Sequence, residues 1–316
     1  MLDFNHVMNT PNADIQVFYG DTQNTLTQWQ TWRKPRGAKF IYLLGVGGGG
    51  SGGTGLNTGT TSGGGAGGGS GSQSIVMIPS LMVPDVLYIQ AGVGGVAPTT
   101  SATAGNPGQP TYVCIEPDTT LTANMTLLYA LGSNGTQTPP TAAAGGLPST
   151  ASSAATLTNM PLAGRGFTSL IAGQAGNSGG TNTTIGNSIT VPTTGLIVTG
   201  GAGGGGCNAG TGFNGGAISS VTGALGQDFY PSVAGGAAAI TSTPGGNGSN
   251  FIVKNSLMYY GGTGGGGATT TAGGTAGIGG DGAPGCGGGG GGGSNSTNPI
   301  VGAGNGGPGF VYIIST

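Results

Sequence analysis

The chain has 316 residues, of which 77 are glycine, about a quarter against a usual share of roughly 7 %. Lys and Arg number six and Asp and Glu eight, only 4 % of the sequence together; glutamate and histidine occur once each, as Glu116 and His6, and the formal charge is −2. Paired carboxylates, a histidine base, a histidine-rich metal site and the basic stripe of a nucleic-acid binder all need residues scarcely present here, so no enzyme, cofactor, metal or nucleic-acid partner is expected.

Residues 1–36 stand apart from the rest of the chain: they hold His6, both tryptophans (Trp29, Trp32) and few glycines. In "DIQVFYGDTQ" Ile15, Val17 and Tyr19 share a face by period two, "GD" reads as a turn, and "TLTQWQTW" alternates again, which predicts a hairpin-like β element. Next comes the cation-rich "RKPRGAK", with Arg33, Lys34, Arg36 and Lys39. It reads either as a partner contact or as a solvated turn that keeps a charge-poor chain soluble.

Residues 37–316 form the glycine-rich part. "KFIYLLGV" is apolar on both strand faces, as in a strand covered by two layers. It runs into "GGGGSGGTG". Helix is excluded for such runs by glycine's cost of about 1 kcal/mol per residue, and collagen by consecutive stretches such as Gly287 to Gly293. The remaining form is the extended threefold polyproline-II conformation, which makes no internal hydrogen bonds. Its N–H and C=O groups therefore need lateral partners. Without Cβ atoms, several rods can pack side by side, parallel and antiparallel, into a core built of main chain.

The same grammar of short apolar strand and glycine stretch recurs without a fixed period in "SIVMI", "DVLYIQAGVGG", "TYVCIEP" and "TLLYALGSNG". A Thr-, Ala- and Pro-rich stretch at about 136–158 reads as a surface loop or linker. Then come "SLIAGQAGNSGG", "GLIVTGGAGGGG", "FIVKNSLMYYGGTGGGG" and the closing "GGPGFVYIIST". The opening and closing strands are both apolar on both faces, which predicts that they are neighbours. The expected fold is thus irregular all-β: bundled polyglycine-II helices capped by short strands, almost free of α-helix.

"TWRKPRGAKFIYLLGVGGGGSGGTG", "LMVPDVLYIQAGVGG" and "GNGGPGFVYIIST" together resemble the glycine-rich domain of bacteriophage fibre, virion and adhesin proteins, over roughly residues 30–316. The charged turn and the 136–158 insert depart from that pattern. The resemblance implies polyglycine-II helices capped by β structure, as in receptor-binding tips of phages. It makes the chain a virion structural or attachment protein, with other virion proteins, further copies of itself and a host-surface receptor as partners. Absence of a basic n-region and of a long apolar run fits a protein made in the host cytoplasm and carried in the virion, without membrane insertion. The alternative is a self-assembling extracellular filament without a receptor.

Other motifs are weak. "GVGGGGSGGTG" contains G-x-G-x-x-G, but more glycine stands where a dinucleotide site needs a helix. Cys114 reads as a small buried hydrophobe, and Cys207 and Cys286 either pair or stay inert. Asp281 reads as a turn residue. Aromatics between glycine runs, Phe167, Phe213, Phe229, Tyr230, Tyr259 and Tyr260, are either recognition residues on loops or caps of the lattice ends. Trp29, Trp32, Arg33, Lys34 and Arg36 are the candidates for assembly or anchoring, unless the tryptophans only fill a local core.

Overall fold

The computed structural model describes residues 13–20, 28–57, 62–119, 125–136, 167–193, 195–208, 210–222, 228–230, 232–238, 246–249, 258–268, 275–295 and 302–316. Its strands are β1 (Asp14–Tyr19), β2 (Gln30–Arg33), β3 (Phe40–Val46), β4 (Gln73–Pro79), β5 (Val86–Gln90), β6 (Thr111–Cys114), β7 (Thr126–Ala130) and β8 (Phe167–Ile171), followed by β9 (Ile189–Thr190), β10 (Ile218–Ser219), β11 (Val221–Thr222), β12 (Asp228–Tyr230) and β13 (Phe310–Ser315). A single 3₁₀ turn, Ser80–Met82, is the one helical element among the described residues. Most described residues after Lys39 lie outside strand and helix, as the glycine content demands.

Two antiparallel sheets form the base. One has the order β1-β13-β3-β4-β8, the other β2-β5-β6-β7. The first glycine-domain strand and the last are neighbours, with Leu44 opposite Tyr312 and Val46 opposite Phe310. Alternation along β3 explains why both of its faces are apolar. Ile41 and Leu43 point to the second sheet and bury with Val76, Ile78, Val311 and Ile313 against Trp32, Leu87, Ile89, Val113 and Leu128. Leu44 and Val46 point the other way and, with Phe310 and Tyr312, are covered by Leu196, Val198, Tyr259, Ala283 and Cys286. At about 1.5–3 kcal/mol for each fully buried large apolar side chain, these two layers supply the conventional part of the core.

The hairpin expected within residues 1–36 does not form. β1 pairs with β13, and β2 pairs with β5 in the other sheet. Alternation correctly placed Ile15, Val17 and Tyr19 on one face, but alternation names a face and not a partner. The 136–158 insert lies, after Thr136, outside the described residues.

The described glycine runs leave the same end of the sandwich, where Val46, Gln73, Ile171 and Phe310 meet in one sheet and Gln90, Tyr112 and Ala130 in the other. Beyond it the backbone bonds with a period of three. Gly47, Gly50, Gly53 and Leu56 donate to Ser72, Gly69, Ala66 and Gly63; Gly48, Ser51 and Thr54 donate to Gln109, Asn106 and Thr103; Gly49 and Gly52 donate to Gly307 and Gly304. The central run 287–293 has six neighbouring segments. Its N–H groups reach the runs at 199–205, 50–53 and 277–280, and its carbonyls accept from 262–268, 65–68 and 304. Parallel and antiparallel neighbours are mixed.

Glycine is required by this spacing. A Cβ on Gly290 would stand 2.0 Å from the carbonyl oxygen of Gly65, and one on Gly49 would stand 1.8 Å from that of Cys286. Where a side chain does occur, its oxygen replaces a lattice carbonyl. Ser133 Oγ accepts from Gly50 N at 2.6 Å and donates to Gly69 O at 2.7 Å, Thr199 Oγ1 accepts from Gly261 N at 2.7 Å, and Asn247 Oδ1 accepts from Ile278 N at 3.0 Å.

Candidate functional site

The topology gives the molecule two unlike ends. At the far end of the glycine bundle lie Asn57, Thr100–Thr103, Thr136, Thr181–Thr184, Asn208 and Asn295, tied to one another by short polar bonds. Thr54 Oγ1 donates to Thr100 O at 2.6 Å, Gly105 N donates to Thr136 Oγ1 at 2.6 Å, and Asn295 Nδ2 donates to Asn208 O at 3.2 Å. None of the described residues of this tip is charged. Two buried amide oxygens there, Asn57 Oδ1 and Asn295 Oδ1, have no hydrogen-bond partner among the described residues. Among the described residues the tip thus presents hydroxyl and amide groups.

At the opposite end, the base, lie seven of the ten charged side chains among the described residues. Arg33 ends β2, Lys34, Arg36 and Lys39 follow it, Asp85 precedes β5, and Glu116 and Asp118 follow β6. Lys34 Nζ lies 3.1 Å from Asp85 Oδ1 and donates to Val83 O at 2.7 Å and Ser80 O at 3.3 Å. Lys34 is therefore a fastener of the turn between β4 and β5.

The six loop aromatics do not converge. Tyr259 and Tyr260 are buried in separate core clusters, which corrects their reading as exposed loop residues. Tyr259 covers the apolar outer face of the five-stranded sheet, whereas Tyr260 fills a separate core with Ile189, Val191, Ala202, Ile218 and Met258. Tyr259 and Tyr312 share a hydrogen bond between hydroxyls, and burial followed by that contact pushes the Tyr259 phenol well above its ordinary range. Phe167 opens β8 at the base end, Phe213 is half-buried with its N–H and C=O in the lattice, and Phe229 and Tyr230 belong to β12.

Trp32 is fully buried in the inter-sheet core and presents no surface, whereas Trp29 is half-buried ahead of β2 and Arg33 and Arg36 are exposed. Cys114, Cys207 and Cys286 are buried and unpaired. Burial pushes the Cys207 thiol up to about 11 and those of Cys114 and Cys286 upward as well, so all three are held protonated at neutral pH. Asp281 is more than a turn residue: its Oδ1 accepts from Asn305 N at 2.7 Å and Nδ2 at 3.0 Å, beside a recess of about 200 Å³ lined by Asn247, Gly248 and Ile278. Sequence reasoning read the N-x-S/T triplets at Asn182 and Asn295 as chance matches and passed over Asn57 and Asn208 at the tip.

A β-sandwich base extended by a glycine-rich, main-chain-bonded bundle with a loop-bearing tip defines a non-helical scaffold class. Residues 23–315 match the family model of the glycine-rich domain, and the chain belongs to that family. No curated protein matches the chain.

Proposed function

We propose that this chain is a non-enzymatic structural protein of a bacteriophage virion, a fibre or attachment module that is carried in the particle and holds its tip toward the host surface. The carrying observation is the polarity of the molecule, with strands and most of the described charge at one end, loops whose described residues are uncharged at the other, and a bundle of glycine runs between them. The period-three bonding supports reading these runs as polyglycine-II helices, in which each residue points its N–H in one of three directions. Rigid support of loops is what a binding tip needs. Side-chain oxygens such as Asn247 Oδ1, which close bonds at the rim of the bundle, count against open-ended growth of the lattice into a filament.

The test is immunogold labelling, with antibody to the purified chain, of particles released by lysis of the producing cells, together with binding of the fluorescent chain to host cells. Label on particles and saturable cell binding are expected. Recovery of the chain only as free filaments would replace the proposal with the filament alternative.

A further inference from the structure

Four Asn–Gly pairs occur in the chain, Asn134 with Gly135, Asn214 with Gly215, Asn247 with Gly248 and Asn305 with Gly306, and all four lie in described parts of the glycine bundle. Such a pair carries a latent reaction. The backbone nitrogen after an asparagine can close an imide ring on the side-chain carbon Cγ, and a following glycine, without a Cβ, leaves the path between them open. The rate of such an intramolecular attack depends on whether the two groups can reach the attacking geometry. Two parts must therefore be free: the asparagine amide, and the peptide unit joining the pair, which has to turn toward it.

The lattice ties up three of the four pairs. Asn305 Oδ1 accepts from Ala97 N at 2.8 Å, its Nδ2 donates to Asp281 Oδ1 at 3.0 Å, its backbone carbonyl accepts from Gly282 N at 2.8 Å, and Gly306 N donates to Gly95 O at 2.8 Å. Asn214 Oδ1 accepts from Ala238 N at 2.6 Å, its backbone carbonyl accepts from Gly186 N at 2.9 Å, and Gly215 N donates to Gly236 O at 2.9 Å. Asn247 Oδ1 accepts from Ile278 N at 3.0 Å, and Gly248 N donates to Ile278 O at 2.8 Å. Ring closure at any of these breaks bonds of the bundle. Asn134 differs. It is exposed, and among the described residues neither its side-chain amide nor the Gly135 N–H has a hydrogen-bond partner. The Asn134 carbonyl has one contact, 3.3 Å from Ser133 Oγ, a hydroxyl whose nearer acceptor is Gly69 O at 2.7 Å. This peptide unit can turn without breaking a backbone bond of the bundle.

We propose that Asn134 and Gly135 form a self-modifying site, at which the folded chain converts its own asparagine into aspartate and isoaspartate. Gly135 N gives up its proton to solvent and bonds to Asn134 Cγ, the Cγ–Nδ2 bond breaks, and Nδ2 leaves as ammonia after taking a proton from water. Water then opens the imide at either carbonyl, and nothing is oxidised or reduced. Opening at Cγ leaves aspartate in an ordinary main chain. Opening at the backbone carbonyl leaves isoaspartate, which routes the chain through Cβ and lengthens it by one atom. Either product sets a negative charge two residues from Thr136, beside a tip whose described residues carry none. Isoaspartate also moves Thr136, whose Oγ1 accepts from Gly105 N at 2.6 Å, out of the period-three register. The site stands independently of what the tip binds.

The purified full chain, incubated folded at mildly alkaline pH and sampled over time beside a portion unfolded in guanidinium, tests it. Digestion in acid and mass spectrometry then read asparagine, aspartate and isoaspartate at all four pairs. In the folded chain, conversion at Asn134 is expected to be at least about tenfold faster than at any other pair, because only there is the attacking geometry within reach. In the unfolded chain the four rates should draw together, since the fold alone separates them. Ion exchange of the folded chain should show an acidic form that grows with time and is missing from Asn134→Ser, a change at an exposed position whose side chain has no bond to lose. Conversion at Asn134 no faster than at the other pairs of the folded chain overturns the proposal. So does an acidic form that grows equally in Asn134→Ser. A preference for Asn134 that is as large in the unfolded chain overturns it too, because local sequence and not the lattice would then select the site.

Discussion

The hydroxyls of Tyr259 and Tyr312 lie 2.8 Å apart inside the protein, one at the start of a glycine run and the other on the last strand of the sandwich. Phe310 packs against both rings, 5.1 Å from Tyr259 and 5.6 Å from Tyr312 between centroids. This contact joins the conventional core to the main-chain lattice. Tyr259→Phe should destabilise the protein by about 1 kcal/mol through loss of the bond, and a double-mutant cycle with Tyr312→Phe should show the two costs to be non-additive. Strict additivity in urea unfolding would mean the two hydroxyls do not act on each other.

Alkaline pH should unfold the chain. Burial pushes the Tyr42 phenol up to about 12 and raises those of Tyr112 and Tyr259 further. A folded-state pKa above the unfolded value of about 10 means that the contribution of these groups is whole below pH 10 and is lost as pH rises through the folded values, because only the unfolded chain ionises there. Unfolding midpoints measured from about pH 8 to 12 should be flat at first and then fall as the buried phenols ionise in the unfolded chain. Midpoints that stay flat up to about pH 12 would contradict this.

Substitution within the bundle should sort by backbone clearance. Gly290→Ala drives a methyl into the Gly65 carbonyl, and with backbone on both sides there is nothing to rotate away. A loss of about 3 kcal/mol or more is expected, at or beyond the upper range of overpacking. Gly210, where an added Cβ meets nothing within 4 Å, should accept alanine with almost no change in thermal midpoint.

Removing one lattice staple should open the bundle locally. Ser133→Ala removes one of the two acceptors of the Gly50 N–H, whose bond to Gly69 O remains, and takes the hydroxyl donor from the Gly69 carbonyl, for a cost of about 0.5–1.5 kcal/mol. Amide hydrogen exchange should accelerate at Gly50 and its neighbours and stay slow in β3 and β13. Uniform acceleration across the chain would show instead that the staple acts only on global stability.

The three cysteines should be silent in the native state. All are buried, and the Cys207 thiol is shifted to about 11, so a disulfide reagent at pH 8 should modify none of them until denaturant exposes all three. Rapid native labelling of any one would require that part of the core to open.

Strand β3 and its pairing with β13 were legible because runs such as "FIYLLGV" and "FVYIIS" are apolar on both faces, and such strands need cover on two sides. Absence of helix was legible for the same kind of reason, from what glycine cannot stabilise. The partners of β1 and β2 were not, since Ile15, Val17 and Tyr19 specify a face while the backbone groups of β13 specify the partner. Tyr259 and Tyr260 look like loop residues because glycine comes directly after them; only the apolar surfaces assembled from segments far away in sequence, the outer face of the five-stranded sheet for Tyr259 and the cluster of Ile189, Val191 and Ile218 for Tyr260, show that they must be covered.

The pairing of β3 with β13 also orders events during synthesis. Phe310 is 270 positions beyond Phe40, yet β13 lies between β1 and β3 in the sheet. At roughly 5–20 residues per second, the ribosome delivers the missing strand on the order of 15–50 s after β3 has emerged. Through that interval β3 has an open edge and two sticky faces, and the glycine runs lack the 304–307 segment that accepts from Gly49 and Gly52. The five-stranded sheet and the bundle are therefore completed only once the last residues have emerged.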